Sequence, residues 1–335
     1  MRRPDRTLFT CFASFSCFAC ICLIAVAAMT SASAQEDPAK YPSKPIHIIV
    51  GFAAGGGNDI IARVFGQKLS ESLGQPVIVE NKPGGGAIVA TEYVAKSPPD
   101  GYTLLMSASG ISINPAVYAK LPYDAINDFV AVSELGSFPL IMIVSASSPI
   151  KSVAEFVDFA KANPDKMNYG SSSASFQLVT ELFKQKTGAP MQAIPYKSAN
   201  ESVLAVISGQ VTTTIADAGP VISQVKSGTA RALAVATPRR IEDLPDVPTL
   251  KEAGIDVEAV LWSGIFVPKA TPPAVVRRIE RELMRIAKLP DVIARLKPLG
   301  IETIGNSSEE FTKILADDIA RWGEVARSAR IKIEQ

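Results

Sequence analysis

Short runs of β-branched and other apolar residues alternate along the chain with segments whose apolar residues recur at helical spacing. The first pattern predicts buried strands, and the second predicts amphipathic helices. In the N-terminal part, helices are predicted to begin near Asn58 and Gly85. The strands predicted around them span residues 46–52, 77–80, 102–106 and 129–135. This alternation is typical of a parallel α/β sheet.

A second series of the same kind follows from residue 140. Helices are predicted to open at Ser152 and Ser198, because each serine is followed three residues later by a glutamate, as in a capping box. A further helix is predicted to carry Pro220 in its first turn. The remaining segments predicted in this series are apolar runs or strands at 140–144, 167–169, 192–195, 211–216 and 231–236, and a helix at 175–187.

From residue 272 onward the pattern is almost wholly helical, and one helix is predicted to open at the capping box of Ser307 and Glu310. A helical tail after two α/β halves indicates that the chain returns to its first half, near residues 260–267. A chain of 335 residues is long enough for two domains. We therefore predict a first domain of residues 41–139 with 264–335 and a second domain of residues 140–263.

The N-terminus has the layout of a secretory signal peptide. Three arginines lie within the first six residues, an apolar run spans 8–29, and the small-x-small site Ala32-Ser33-Ala34 follows. An uncleaved membrane anchor is the alternative, because the run is nearly long enough to span a bilayer, but the small-x-small site favours cleavage. We predict a signal peptide of residues 1–34, cleavage after Ala34, and a periplasmic protein that begins at Gln35. All four cysteines precede Ala34, so this protein would have no disulfide.

Charge and histidine content disfavour several classes of function. The chain has 34 basic and 33 acidic residues, so it lacks the basic surplus of a protein that binds nucleic acid. His47 is the only histidine, and a histidine zinc site or a Ser-His-Asp triad would have to use it. We therefore expect no cofactor, no metal and no nucleic-acid partner, and binding rather than catalysis.

Two loops at strand-to-helix junctions have the composition of anion-binding sites. The glycine loop (residues 51–59) contains Gly55-Gly56-Gly57 before a helix start, where free backbone N–H groups suit a carboxylate or a phosphate. It lacks the lysine of a Walker loop and the spacing of a dinucleotide loop. The serine loop (residues 170–177) offers hydroxyls at another helix start. Purely structural turns, capped by Asn58 or Asp59 in one loop and by serine in the other, remain the alternative.

Three further residues are open to a structural or a functional interpretation. Asp217 ends a predicted strand at a position where α/β sheets contact ligands, and it either accepts a hydrogen bond from a ligand amine or hydroxyl or binds nearby backbone. Trp262, at the expected return to the first half, is either an apolar anchor or part of a cleft wall. A nucleophile at Ser172 would need the closing glycine of an elbow motif, but Ala174 stands there.

An ordered set of short motifs covers the chain from about residue 41 to its C-terminus. The motifs include Tyr41-Pro-Ser-Lys-Pro, Val79-Glu-Asn-Lys-Pro, Pro99-Asp-Gly-Tyr, Leu121-Pro-Tyr-Asp, Pro195-Tyr-Lys and Leu244-Pro-Asp-Val-Pro, besides the glycine loop itself. In this order and spacing the set resembles the Bug family, the extracytoplasmic solute receptors of tripartite tricarboxylate transporters.

The resemblance implies a type II periplasmic-binding-protein fold, with two α/β domains joined by two crossover strands and a ligand cleft between them. It implies a non-enzymatic receptor that binds a small carboxylate, hands it to membrane transporter subunits, and is expected to be a monomer. The ligand-binding residues that it implies are Phe52, Ala53, Ala54, Gly55, Gly56, Asn58, Asp59, Ser171, Ser172, Ser173, Ser175, Phe176 and Asp217.

Two alternatives to this function stay open: a periplasmic serine hydrolase that uses the Ser171–Ser175 segment, and an amino-acid receptor of an ABC-type transporter. The ligand class is open as well. Where the family usually has glycine and serine in the second loop, this chain has Ala174 and Phe176. An aromatic or bulkier monocarboxylate is therefore an alternative to a dicarboxylate.

Overall fold

Three parallel strands form the sheet of the first half in a computed structural model that describes residues 40–332. The strands are β1 (Ile46–Val50), β2 (Val77–Asn81) and β3 (Thr103–Ala108), each followed by one of the helices α1 (Gly57–Leu73), α2 (Ile88–Ala95) and α3 (Gly110–Val117). The spatial order of the strands is β2-β1-β3. Most residues of β1 and β3 are buried, as expected for apolar strands between helices. The sequence pattern did not predict α3, because eight residues that include Pro115 show no clear helical period.

A single long strand, β4 (Phe129–Ser145), connects the two halves of the sheet. The prediction of two separate segments at 129–135 and 140–144 is wrong in this respect. The intervening residues pair antiparallel with β9 (Val260–Pro268), so they stay extended. Two register shifts in this ladder allow the strand to bend.

The strand changes partners at Pro139, the residue that made the sequence pattern look interrupted. Pro139 lies opposite Val260 at the end of the β9 ladder. The next residue, Leu140, already pairs with Asp217 of β7 (Thr213–Asp217). Because proline has no N–H to donate, the junction between two ladders is a position that tolerates it. The change of partner coincides with the predicted domain boundary, and the division into two domains stays a prediction.

The second half repeats the arrangement of the first. Its elements are α4 (Val153–Ala162), β5 (Asn168–Ser171), α5 (Ala174–Thr187), β6 (Gln192–Pro195), α6 (Ala199–Ile207), α7 (Ala218–Lys226) and β8 (Ala230–Val235). β5 runs parallel to β6 and β7, while β7 and β8 pair antiparallel with β4. The predicted caps of two helices are confirmed, since Ser152 Oγ accepts from the Glu155 N–H and Ser198 Oγ accepts from the Glu201 N–H.

The C-terminal segment returns to the first half, as predicted. β9 lies between β3 and β4, and the short β10 (Glu302–Thr303) also pairs with β4. The helices are α8 (Pro273–Ile286), α9 (Pro290–Leu296) and α10 (Ser308–Ala329). The capping box of Ser307 and Glu310 is present at the start of α10, and that helix buries Phe311 and Trp322.

Residues 42–332 belong to one compact unit. Within the part of the chain that the structure describes, no helix is both long and apolar enough to cross a membrane. The predicted signal peptide, its cleavage site and all four cysteines lie outside the described residues.

Candidate functional site

A cavity of about 640 Å³ lies where four helices begin. Strands β1, β3, β5 and β7 are each followed by a helix, and residues from the first turns of α1, α3, α5 and α7 line the cavity. The first N–H groups of a helix have no partner within it, and the helix dipole places partial positive charge there. No lysine, arginine or histidine side chain belongs to the lining formed by the described residues. The arrangement can therefore hold an anion through backbone groups alone.

Asp59 holds the glycine loop in shape from within. Its carboxylate is buried, accepts a hydrogen bond from the Gly55 N–H at 2.9 Å, and pairs with Arg63 one turn further along α1. Asn81 of β2 donates to the same carboxylate at 2.8 Å and to the carbonyl of Phe52 at 3.0 Å. Burial acts to raise the pKa of Asp59, but the hydrogen bonds from Arg63, Gly55 and Asn81 together lower it below its ordinary value. Asp59 thus stays ionised and organises the loop.

Asn58 connects the start of α1 to the crossover strand β9. Its Oδ1 accepts a hydrogen bond from Ser263 Oγ, which lies 205 residues further along the chain. With Oδ1 occupied, the Nδ2 group is the remaining hydrogen-bonding part of the side chain, and Asn58 lines the cavity. Asn58 can therefore present a neutral donor to a bound anion.

Most hydroxyls of the serine loop have no hydrogen-bond partner among residues 40–332, which the structure describes. Ser171 is buried, and its hydroxyl donates to the backbone carbonyl of Ser173 at 3.1 Å. Ser173 occupies the N-cap position of α5 in an extended conformation, yet its side chain makes no capping hydrogen bond. Both Ser173 and Ser175 line the cavity, beside the first N–H groups of α5. This loop offers hydroxyl and backbone donors together to a ligand.

Asp217 is the only charged side chain in the lining contributed by the described residues. It occupies the N-cap position of α7, and among the residues that the structure describes it makes no side-chain capping bond and its buried Oδ1 has no hydrogen-bond partner. Burial raises the pKa of Asp217, and a bond from its own backbone N–H only partly opposes this. An acceptor in this state gains from any donor that a ligand brings.

The predicted site residues divide into two groups. Those that line the cavity are Phe52, Gly55, Asn58, Ser173, Ser175, Phe176 and Asp217. Those that lie outside the lining are Ala53, Ala54, Gly56, Asp59, Ser171 and Ser172. Asp59 and Ser171 lie outside the lining for a physical reason. Their side chains are buried and form hydrogen bonds inside their own loops.

The start of α3 is a part of the cavity that the sequence analysis missed. Ser109 and Gly110 line it, and Ser109 exchanges hydrogen bonds with the backbone of Trp262. Trp262 also lines the cavity, and its Nε1 donates to Asp318 at 2.7 Å. Serine and glycine directly after the strand predicted at 102–106 were the available signal, since the serine loop has the same composition.

His47 lies away from the cavity. It belongs to β1, and its Nδ1 is hydrogen-bonded to Glu80 of the neighbouring strand. The serine loop therefore has no imidazole near it that acts as a base, although it supplies hydroxyls. Among the residues that the structure describes, no cluster of acidic, histidine or cysteine side chains is arranged to hold a metal ion.

A family model described as a tripartite tricarboxylate transporter family receptor matches residues 61–331. The chain belongs to this receptor family. The receptor is similar to the periplasmic binding protein BugD, with 29% identity, coverage of 88% of the receptor and 100% of BugD, and a TM-score of 0.73. An R. palustris protein solved with adipate is 32% identical to the receptor. The comparison covers 88% of the receptor and 100% of that protein, with a TM-score of 0.76. MatC from Rhodopseudomonas palustris, solved with bound malate, is 26% identical over 85% of the receptor and 99% of MatC at a TM-score of 0.71.

These similarities confirm two expectations. The resemblance to the Bug family is correct, and the fold class of the receptor, an α/β periplasmic-binding-protein fold, is confirmed. The family match also favours a tripartite transport system over an ABC-type amino-acid receptor. A solute receptor of a tripartite tricarboxylate transporter is the function that the family assigns to the chain.

Proposed function

We propose that this receptor binds a small carboxylate in the periplasm and delivers it to the membrane subunits of its transporter. The observation that carries this proposal is that four helices begin at one cavity, where the described residues contribute no basic side chain to the lining. Helix dipoles and free N–H groups stabilise an anion there. The similar proteins solved with adipate and with malate support this proposal, because both ligands are small dicarboxylates.

In the proposed binding mode, the glycine loop and the serine loop hold the ligand from opposite halves. Asn58 and the backbone of the glycine loop act on one side, and Ser173, Ser175 and the start of α5 act on the other. The two predicted domains, residues 41–139 with 264–335 and residues 140–263, close on the ligand. Affinity then depends on both loops at once.

The receptor is proposed to bind without chemistry. A serine hydrolase that used the same loop would need a base near the serine. His47 is hydrogen-bonded to Glu80 on the strands of the first half and lies outside the cavity lining, so it does not supply that base. Incubation of the protein with carboxylate esters should yield no acid or alcohol product. Product formation that disappears in Ser173→Ala or Ser172→Ala would establish the hydrolase instead.

The proposed exported form begins at Gln35 and is a monomer. N-terminal sequencing of periplasmic material should start at that residue, and a full-length chain retained in the membrane would contradict cleavage. Native mass spectrometry of the purified protein should give the mass of one chain plus one small acid. Calorimetry should then show 1:1 binding of a carboxylate such as adipate or malate.

A charge introduced at the start of α5 tests the binding mode. Ser173→Asp places a carboxylate at an N-cap position, where aspartate favours the helix but repels a bound anion. The variant should fold normally and lose carboxylate affinity by at least about a hundredfold. Ser198→Asp is the matched control, because Ser198 is also an N-cap but lies outside the cavity lining. Equal affinities in the two variants would exclude the serine loop from the site.

A further inference from the structure

Aromatic rings lie beside both of the helix starts that are proposed to bind the ligand. Phe138 packs so closely on α1 that a Cβ added to Gly57 would lie 3.0 Å from Cε1 of its ring. Phe176 belongs to the first turn of α5. Tyr118 and Ile113, on the opposite half of the chain from α5, complete an apolar wall with it. The space between the polar groups is therefore lined for an apolar body rather than for water.

A cavity of about 640 Å³ lies within the range that encloses ligands larger than a four-carbon acid. Phe138 and Phe176 both line this cavity. An aromatic ring would bury more apolar surface against them than the chain of a short aliphatic dicarboxylate does. These features favour an aromatic carboxylate.

Asp217 adds a second requirement. Its Oδ1 is buried and has no hydrogen-bond partner within the described part of the chain, and it lies in the cavity proposed to hold the anionic group of the ligand. The Asp217 carboxylate therefore needs a hydrogen-bond donor on the ligand. An ammonium group would supply one, but it would also lie among four helix starts that carry partial positive charge. A hydroxyl group supplies the hydrogen bond without adding a charge.

We propose that the ligand is a hydroxylated aromatic carboxylate whose hydroxyl donates to Asp217. The proposal rests on the function proposed above and narrows it to one class of acid. Asp217 is then the residue that selects for the hydroxyl. Phe138 and Phe176 select for the ring.

Calorimetry on the mature chain tests this with benzoate, its three monohydroxy isomers and adipate. At least one hydroxybenzoate should bind at least about tenfold more tightly than benzoate, as expected for one charge-assisted hydrogen bond. In Asp217→Asn, this preference should shrink severalfold, and benzoate should bind more tightly because the repulsion between carboxylates is removed. Asp246→Asn is the matched control, since Asp246 is exposed and outside the cavity lining.

Phe176→Ala provides an independent variant. It should weaken the hydroxybenzoate at least about fivefold while changing adipate less, because only the ring uses that wall. Equal affinities of benzoate and all three isomers in the wild type, or an unchanged preference in Asp217→Asn, would overturn the inference and leave carboxylate binding intact. Failure of all five acids, adipate included, would overturn the proposed function as well.

Discussion

The two loops that meet at the cavity use their polar side chains in opposite ways. In the glycine loop, the Asp59 carboxylate accepts hydrogen bonds from Gly55, Arg63 and Asn81. The groups left to bind a ligand are the backbone of the loop and the side-chain amide of Asn58. In the serine loop, the Ser171 hydroxyl is bonded inside the loop, while the hydroxyls of Ser173 and Ser175 have no partner in the described part of the chain. The glycine loop is held by its own hydrogen bonds, whereas the serine loop keeps hydroxyl donors that a ligand can use.

This difference separates stability from affinity. A substitution in the internal network of the glycine loop should damage the fold and the site together, because the same bonds shape both. A substitution of Ser173 or Ser175 in the serine loop should change affinity alone, because no protein group in the described residues bonds to these hydroxyls.

Asp59→Ala should have the largest effect. It removes a buried carboxylate together with its ion pair and hydrogen bonds to Gly55 and Asn81, so the free energy of unfolding should fall by about 4 kcal/mol. Carboxylate affinity should fall with it. Urea unfolding and calorimetry measure the two effects.

Asp317→Ala is the matched control for that variant. Asp317 pairs with Lys313 at the same spacing of four residues on a helix, but both side chains are exposed. Its loss should cost less than about 0.5 kcal/mol. Similar losses in the two variants would show that the glycine loop does not depend on its internal network.

Glu134 extends the comparison to the rest of the first half. Its N–H donates to Asn306 Oδ1, and Asn306 Nδ2 donates back to its carboxylate at 3.1 Å, so the pair attaches the segment before α10 to β4. Burial raises the pKa of Glu134 to about 7 from an ordinary value of 4.5; the bond from Asn306 opposes this, and the nearby Asp318 and Glu302 add to it.

The folded protein therefore holds this proton at pH values where the unfolded chain releases it. The contribution of Glu134 to stability is fully present below about pH 4.5 and is lost as pH rises through about 7. Relative to the wild type, Glu134→Gln should gain about 3 kcal/mol in unfolding free energy between pH 4.5 and 8. Urea unfolding at both pH values measures this, with exposed Glu324→Gln as control; a constant difference would contradict the raised pKa.

Ser173→Ala combined with Ser175→Ala tests the serine loop. Carboxylate affinity should fall about tenfold, while the free energy of unfolding should stay within about 0.5 kcal/mol of the wild type, because neither hydroxyl has a partner in the described structure. Calorimetry and urea unfolding on the same preparation measure both quantities. A large loss of stability with unchanged affinity would reverse the assignment of roles.

Ser171→Ala should have the smallest effect, and this variant should change stability rather than affinity. The variant loses the bond from the Ser171 hydroxyl to the Ser173 carbonyl, which is worth about 1 kcal/mol of stability. Affinity should change less than in the double variant, because this hydroxyl points into the loop. An affinity loss larger than that of the Ser173 and Ser175 variant would show that Ser171 binds the ligand directly.

The sequence determined what depends on near neighbours in the chain. The alternation of strands and helices, the caps at Ser152, Ser198 and Ser307, and the positions of both loops follow from residues within a few positions of each other. The return of the chain near residue 260 was also visible, since a helical tail cannot complete a second α/β half.

Only the tertiary structure decided which side chains face the cavity. β4 is continuous because β9, more than a hundred residues away, pairs with its middle. Asn58 is oriented by Ser263, Asp59 by Asn81, and the start of α3 joins the site through Ser109 and Trp262. These contacts link residues distant in sequence, and a local pattern of apolar and polar positions carries no information about such partners.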